Sequence, residues 1–139
     1  MLEIILIEKS VDQVVLRLAR NTEDPSSHFF DGKILYGPDP IVPVQFCENG
    51  LKFHVDVVNG QKTGFFLDQR ENRLKIKKIS SGLSVLNVFS YTGGFSIYAV
   101  SGGCRSLLEI DSNSIALNSS LQNLKLNYPK KQNFKYSKI

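Results

Sequence analysis

The chain has 139 residues, 42% apolar and 22% charged, the balance of an ordinary globular protein with room for one domain or parts of two. No stretch approaches the ~20 apolar residues of a membrane-spanning helix. The apolar opening at residues 2–7 contains Glu3 and lacks the basic start and cleavage site of a signal peptide, so a cytoplasmic protein is expected. A formal charge of +4 is compatible with a nucleic-acid partner and proves none.

Taken in chain order, residues 2–7 read as a buried strand. Val11, Val14, Val15 and Leu18 recur at roughly helical spacing within residues 10–19. Residues 21–27 read as loop, and Gly37-Pro38-Asp39-Pro40 is a second breaker. Val42, Val44 and Phe46 alternate with polar neighbours, as do Leu51, Phe53, Val55 and Val57 with Lys52, His54 and Asp56, the period of half-buried strands. Asn49-Gly50 between them supplies the positive φ angles of a type I′ turn. Asn59-Gly60 repeats the device and predicts a third strand at residues 62–67, making a β-meander. His54 falls with the outward set.

Asp68 then opens a helix, with Glu71 three residues on to complete a capping box. The helix carries Arg70, Arg73, Lys75, Lys77 and Lys78 and ends near Ile79, and Lys125, Lys130, Lys131, Lys135 and Lys138 crowd the C-terminus; the two clusters read equally as a solvated helix face and tail or as an RNA-facing surface. After Ser80-Ser81-Gly82 the pattern changes to an apolar strand at 83–89, a glycine turn at 90–94, a short helix at 95–100 and a Gly102-Gly103 cap. A second apolar strand at 107–110 ends in Asp111, and a helix follows at 112–125. Strand, helix, strand, helix, with strands apolar on both faces, opens a doubly wound α/β parallel sheet. Cys47 and Cys104 are too few for a disulfide framework or a cysteine zinc site and read as small packed residues, and no metal site is expected.

In such sheets ligands bind outside the carboxyl ends of the strands. Here that place is Asn87-Val88-Phe89-Ser90-Tyr91-Thr92-Gly93-Gly94-Phe95. Glycines admit a ligand close to the backbone, and the next helix offers its free amides. Asp111, 18 positions after Gly93, stands where a carboxylate can accept from ribose hydroxyls. A dinucleotide turn needs a second glycine at position 95, which is Phe, and no G-x-x-x-x-G-K-[ST] phosphate loop occurs. A cofactor with ribose and no phosphate fits better, and S-adenosylmethionine is the common one. The plainer alternative is a tight turn whose glycines only permit packing.

The run Phe89-Ser90-Tyr91-Thr92-Gly93-Gly94-Phe95, preceded by Val85-Leu86-Asn87, resembles motif I of the RlmI-like family of ribosomal RNA cytosine-C5 methyltransferases. Glu48-Asn49-Gly50-Leu51-Lys52-Phe53 and Gly60-Gln61-Lys62-Thr63-Gly64-Phe65-Phe66-Leu67-Asp68-Gln69-Arg70 resemble the stretch before that family's methyltransferase domain. The resemblance covers at least residues 41–125. It implies S-adenosylmethionine as cofactor and RNA as partner. Phe89, Ser90, Tyr91, Thr92, Gly93 and Gly94 would cradle the methionyl part, Asp111 would hold the ribose, and Gln69 and Arg70 would line the pocket.

The family's architecture is a PUA domain, a small EEHEE-type α/β domain and a Rossmann-like methyltransferase domain. The resemblance implies that residues 1–79 are part of the second and residues 80–139 the first half of the third, stopping near a third strand at 134–136. Attack on C6 of a pyrimidine needs a cysteine thiolate. The family's cysteine and its Asp-Pro-Pro motif lie downstream, so no catalytic residue is assigned here. Alone, the chain is expected neither to methylate RNA nor to fold cooperatively. The alternative is a non-catalytic module that binds cofactor or RNA.

Overall fold

The structure is a computed structural model that describes residues 11–18, 28–130 and 134–138. The expected strand at 2–7 and loop at 21–27 lie outside the described residues. The chain divides into two compact units, Met1–Val44 with Asp56–Gly64, and Gln45–Val55 with Phe65–Ile139.

In the first unit, β1 (Val14–Val15) pairs antiparallel with β2 (Ile34–Tyr36). This replaces the helix expected from the apolar spacing. Two adjacent β-branched valines gain ladder partners here, which a helix turn would deny them. Arg17 ties the unit together: its guanidinium meets both oxygens of Asp31 at 2.9 and 3.0 Å and donates to the carbonyls of Val57 and Gly60 at 2.9 and 2.7 Å. That hydrogen bond from Arg17 holds the Asp31 carboxyl below the usual range.

The expected third meander strand does not form; residues 60–66 run through bends and turns instead. Asp56 organises them. Its carboxylate accepts from the amides of Val58 and Asn59 at 3.0 and 2.7 Å, and its carbonyl accepts from Gly60 N at 3.1 Å. Lys62 and Gly64 sit at φ 54° and 79°, and a Cβ on Gly64 would lie 2.4 Å from the Asp56 carbonyl. Neither backbone can continue a ladder.

In the second unit, β3 (Val44–Glu48) and β4 (Leu51–Val55) form the expected hairpin, with Asn49 and Gly50 at φ 51° and 79°. Leu51, Phe53 and Val55 point inward, and the rings of Phe46, Phe53 and Phe65 meet at centroid distances of 4.9–5.4 Å. Cys47 is on the outward side of β3 and exposed, against expectation, because the strand's alternation turns it away from Phe46. Cys104 is buried as expected. His54 is half-buried, 3.2 Å from Gln45 Oε1.

A single 3₁₀ turn (Leu67–Gln69) leads into α1 (Arg70–Ile79). Asp68 therefore lies inside the entering turn and does not cap. No side chain caps α1, and the Asp68 carboxylate takes the Gln69 amide group at 3.0 Å. Arg73 is a second correction: it leaves the exposed basic cluster and is 1% exposed. Its guanidinium grips Glu48 at 2.8 and 2.7 Å, donates to Phe66 O at 2.8 Å and stacks on Phe65. Tyr98 O–H donates to the same carboxylate at 2.9 Å.

The chain then enters the parallel sheet, ordered β5 (Ser84–Val88), β6 (Ser106–Asp111), β7 (Phe134–Lys138), with α2 (Gly94–Ser101) and α3 (Ser114–Asn127) as connections. The α/β class and the strand–helix alternation are as expected. Cover of the sheet is one-sided: Leu86 and Val88 are 58% and 43% exposed, because α2 and α3 cover only the face of Leu107, Glu109 and Asp111 among the described residues. On the outer edge of β4, Asn127 bonds the N–H and C=O of Lys52 at 2.9 and 2.7 Å, and Asn123 those of His54 at 2.6 and 3.2 Å. The match is geometric: four helical residues rise about 6 Å, and two strand residues span nearly the same length.

Candidate cofactor site

The turn after β5 alternates left-handed residues, with Phe89, Tyr91 and Gly93 at φ 59°, 50° and 77°. For non-glycine residues this costs about 1–3 kcal/mol each and persists only where the surroundings impose it. Four bonds do so. Ser90 N reaches Ile110 O at 3.2 Å, Tyr91 N reaches Asp111 Oδ2 at 2.8 Å, Gly93 N reaches Ser90 O at 2.9 Å, and Thr92 O accepts from Asn123 at 3.3 Å. The Tyr91 ring meets Phe66 edge-on at 5.6 Å.

Gly93 is sterically required, since a Cβ there would stand 1.9 Å from Ser120 Oγ; one on Gly94 would stand 3.3 Å from the Phe65 ring, a tight contact. The structure thus brings together Ser90, Tyr91, Thr92, Gly93, Gly94 and Asp111. The Phe89 side chain is 78% exposed. Gln69 and Arg70 follow, after Leu67 and Asp68, the Phe65–Phe66 pair that touches the turn. Gln69 donates to Asp68 and accepts from Asn72, and Arg70 donates to Asn49 Oδ1 at 3.0 Å.

The donor set suits a ribose-bearing ligand with a carboxylate. Ser90 Oγ is buried and has no hydrogen-bond partner among the described residues, a state that buried hydroxyls rarely keep. No side chain caps α2, so its first amides face the turn with their partial positive charge available to an anion. Asp111 uses one lone pair of each oxygen, on Tyr91 N and on Asn113 N at 2.9 Å, and retains two more for hydroxyl donors. S-adenosylmethionine has both kinds of group.

Sequence reasoning missed what lies under the turn: Asn87, Ser96, Glu109 and Ser120, a polar cluster on the helix-covered face. A glutamate within Leu107-Leu108-Glu109-Ile110 was the available signal, since it falls on the strand's inward face. Among the described residues no group of histidine, cysteine and acidic side chains could hold a metal ion, and no helix is long and apolar enough to cross a membrane.

Comparison with known proteins agrees with this chemistry. A model of the S-adenosylmethionine-dependent methyltransferase family matches residues 14–135. A "Ribosomal RNA large subunit methyltransferase" of Deinococcus radiodurans is 44% identical over 129 residues, 91% of this chain and 32% of that protein. A "Ribosomal RNA large subunit methyltransferase I" of Aeromonas salmonicida is 49% identical over 94 residues, 68% of this chain and 24% of its own length. The chain therefore spans a third or less of these curated relatives. The crystal structure of M. jannaschii TYW2 in complex with AdoMet superposes with a TM-score of 0.62 at 26% identity, over 76% of this chain and 46% of that one. With the family model running from β1 through the glycine turn and Asp111 into β7, this chain belongs to the RlmI-like family of S-adenosylmethionine-dependent methyltransferases.

Proposed function

We propose that the chain is the cofactor-binding part of an enzyme that methylates RNA, at C5 of a cytosine in ribosomal RNA. The names of the relatives support ribosomal RNA as substrate, and the Phe89–Phe95 run supports the cytosine-C5 class. The observation that carries the reading is Ser90 Oγ, buried without a partner among the described residues in a turn flanked by Asp111 and the uncapped end of α2. In this reading the first amides of α2 and the Ser90 hydroxyl hold the methionyl end. Asp111 accepts from the ribose, and Gln69 and Arg70 border the pocket beside Phe66. When bound, the cofactor supplies an electrophilic methyl group on a sulfonium. The reading assigns the thiolate that activates the pyrimidine to a residue outside 1–139. Cys104 is buried next to Gly102-Gly103 at the C-terminal end of α2, and Cys47 is exposed on β3.

Calorimetry with S-adenosylhomocysteine tests the site. Asp111→Ala should weaken binding by about 1.5–3 kcal/mol, the worth of hydrogen bonds to a charged group. Unchanged affinity would remove Asp111 from the site.

A further inference from the structure

Glu109, Ser96 and Ser120 are each 0% exposed and meet directly beneath the turn. Ser120 Oγ lies 2.8 and 2.7 Å from the two carboxyl oxygens of Glu109, and the Ser96 hydroxyl bonds the same carboxyl. Asn87 Nδ2 donates to Ser96 Oγ at 2.8 Å, which leaves the Ser96 proton for Glu109. Gly93 is the roof: its missing Cβ would lie 3.1 Å from Glu109 Oε1. The carboxyl therefore abuts the left-handed residue that ends the turn. Among the described residues its hydrogen-bond partners are the Ser96 and Ser120 hydroxyls and not a cation, and a buried charge without one is costly.

We infer that Glu109 is a positioning residue for the cofactor turn: wedged under Gly93 between Ser96 and Ser120, its carboxyl sets where residues 90–94 lie. Glu109 does not itself touch the cofactor in this arrangement, and the inference rests on the reading that the turn binds S-adenosylmethionine. Burial pushes the Glu109 carboxyl up, Ser96 and Ser120 oppose this, and the Asp111 charge adds to it. A raised value favours the neutral form in the folded state. The support is complete below the ordinary carboxylate range and is lost as pH rises through the raised value. The groups facing Glu109 from β5, α2 and α3 are Asn87, Ser96 and Ser120, none of which titrates here, and Asp111 is the neighbouring acid. On β7 its backbone register partner is Tyr136.

The test has two arms on the 139-residue chain. In the first, amide NMR resonances of Tyr91, Thr92 and Gly93 are followed without cofactor as pH rises from the acid range to mild alkali. They should move together with one midpoint above the ordinary carboxylate range, and stay still in Glu109→Gln, which keeps the shape and cannot ionise. Resonances that stay still in the parent chain, or that move equally in Glu109→Gln, overturn the inference. In the second arm S-adenosylhomocysteine is titrated in. Affinity should fall with pH in the parent and not in Glu109→Gln, while Glu109→Ala should bind about tenfold more weakly than Glu109→Gln at every pH. Full affinity in a folded Glu109→Ala would also overturn it. A positive first arm with no binding by any variant would support the link from Glu109 to the turn and sink the reading of the turn as the cofactor site.

Discussion

Gly93 answers two separate demands, a φ of 77° and the approach of Ser120 Oγ to where a Cβ would stand. Gly93→Ala should therefore lose stability twice over, about 2–5 kcal/mol from left-handed strain and overpacking together. Ser120→Gly in the same chain should recover the steric part alone. Denaturant melts of the two single variants and the double variant measure this, and simple additivity would show that Ser120 does not set the clash. The glycine itself was legible in the sequence, as was Asp111, because a strand ending in a glycine turn and another ending in an acid are local patterns. Ser120 was not, since a serine beside Asn118 and Ser119 reads as one more polar helix position until the fold brings it under the turn. Asp68 was legible and misleading: its spacing to Glu71 fits a capping box, but a 3₁₀ turn carries the chain past it.

At the scale of elements, the hairpin joins the sheet and its helices through polar groups. Glu48 receives two bonds from Arg73 and one from Tyr98, while Asn49 donates to Tyr98 Oη at 2.8 Å. Burial, with the Glu48 carboxylate beside it, pushes the Tyr98 phenol up to about 12. Glu48→Ala should cost about 3–5 kcal/mol, because it strands a buried guanidinium. Asn127→Ala, which removes two bonds at a partly exposed edge, should cost about 1–2 kcal/mol. Thermal or urea unfolding ranks the two, and equal losses would contradict the burial argument. The hairpin was readable from alternation and Asn49-Gly50. The third strand was over-read because Asn59-Gly60 looks the same, yet there the Asp56 carboxylate gathers the amides into a local turn.

For the molecule as a whole, the alternation of strand and helix after residue 82 was enough to foresee a parallel sheet, while β7 forms in full a third strand that was expected only to begin near 134–136. Apolar residues on both strand faces do not by themselves say which face is covered, and α2 and α3 cover one. Charge was readable only as a total. Arg73 is consumed by the core, whereas Arg70, Lys75 and Lys78 stay exposed and Lys77 is half-buried. If this surface meets RNA, neutralising Lys75, Lys77 and Lys78 should flatten the plot of log affinity against log salt by about 2–3 units of slope. Filter binding over a salt series reads it, and an unchanged slope would leave the lysines as solvated surface.

The asparagine ladder has a consequence in time. Lys52 and His54 precede Asn127 and Asn123 by 75 and 69 residues. At a synthesis rate of roughly 5–20 residues per second, the edge of β4 emerges several seconds before the helix that closes it has been made. During that interval the nascent hairpin carries a bare row of amides and carbonyls, open to any extended chain nearby. Lys52, charged and outward on that edge, is a residue of the kind that discourages such pairing, so its service to this protein falls before the fold exists.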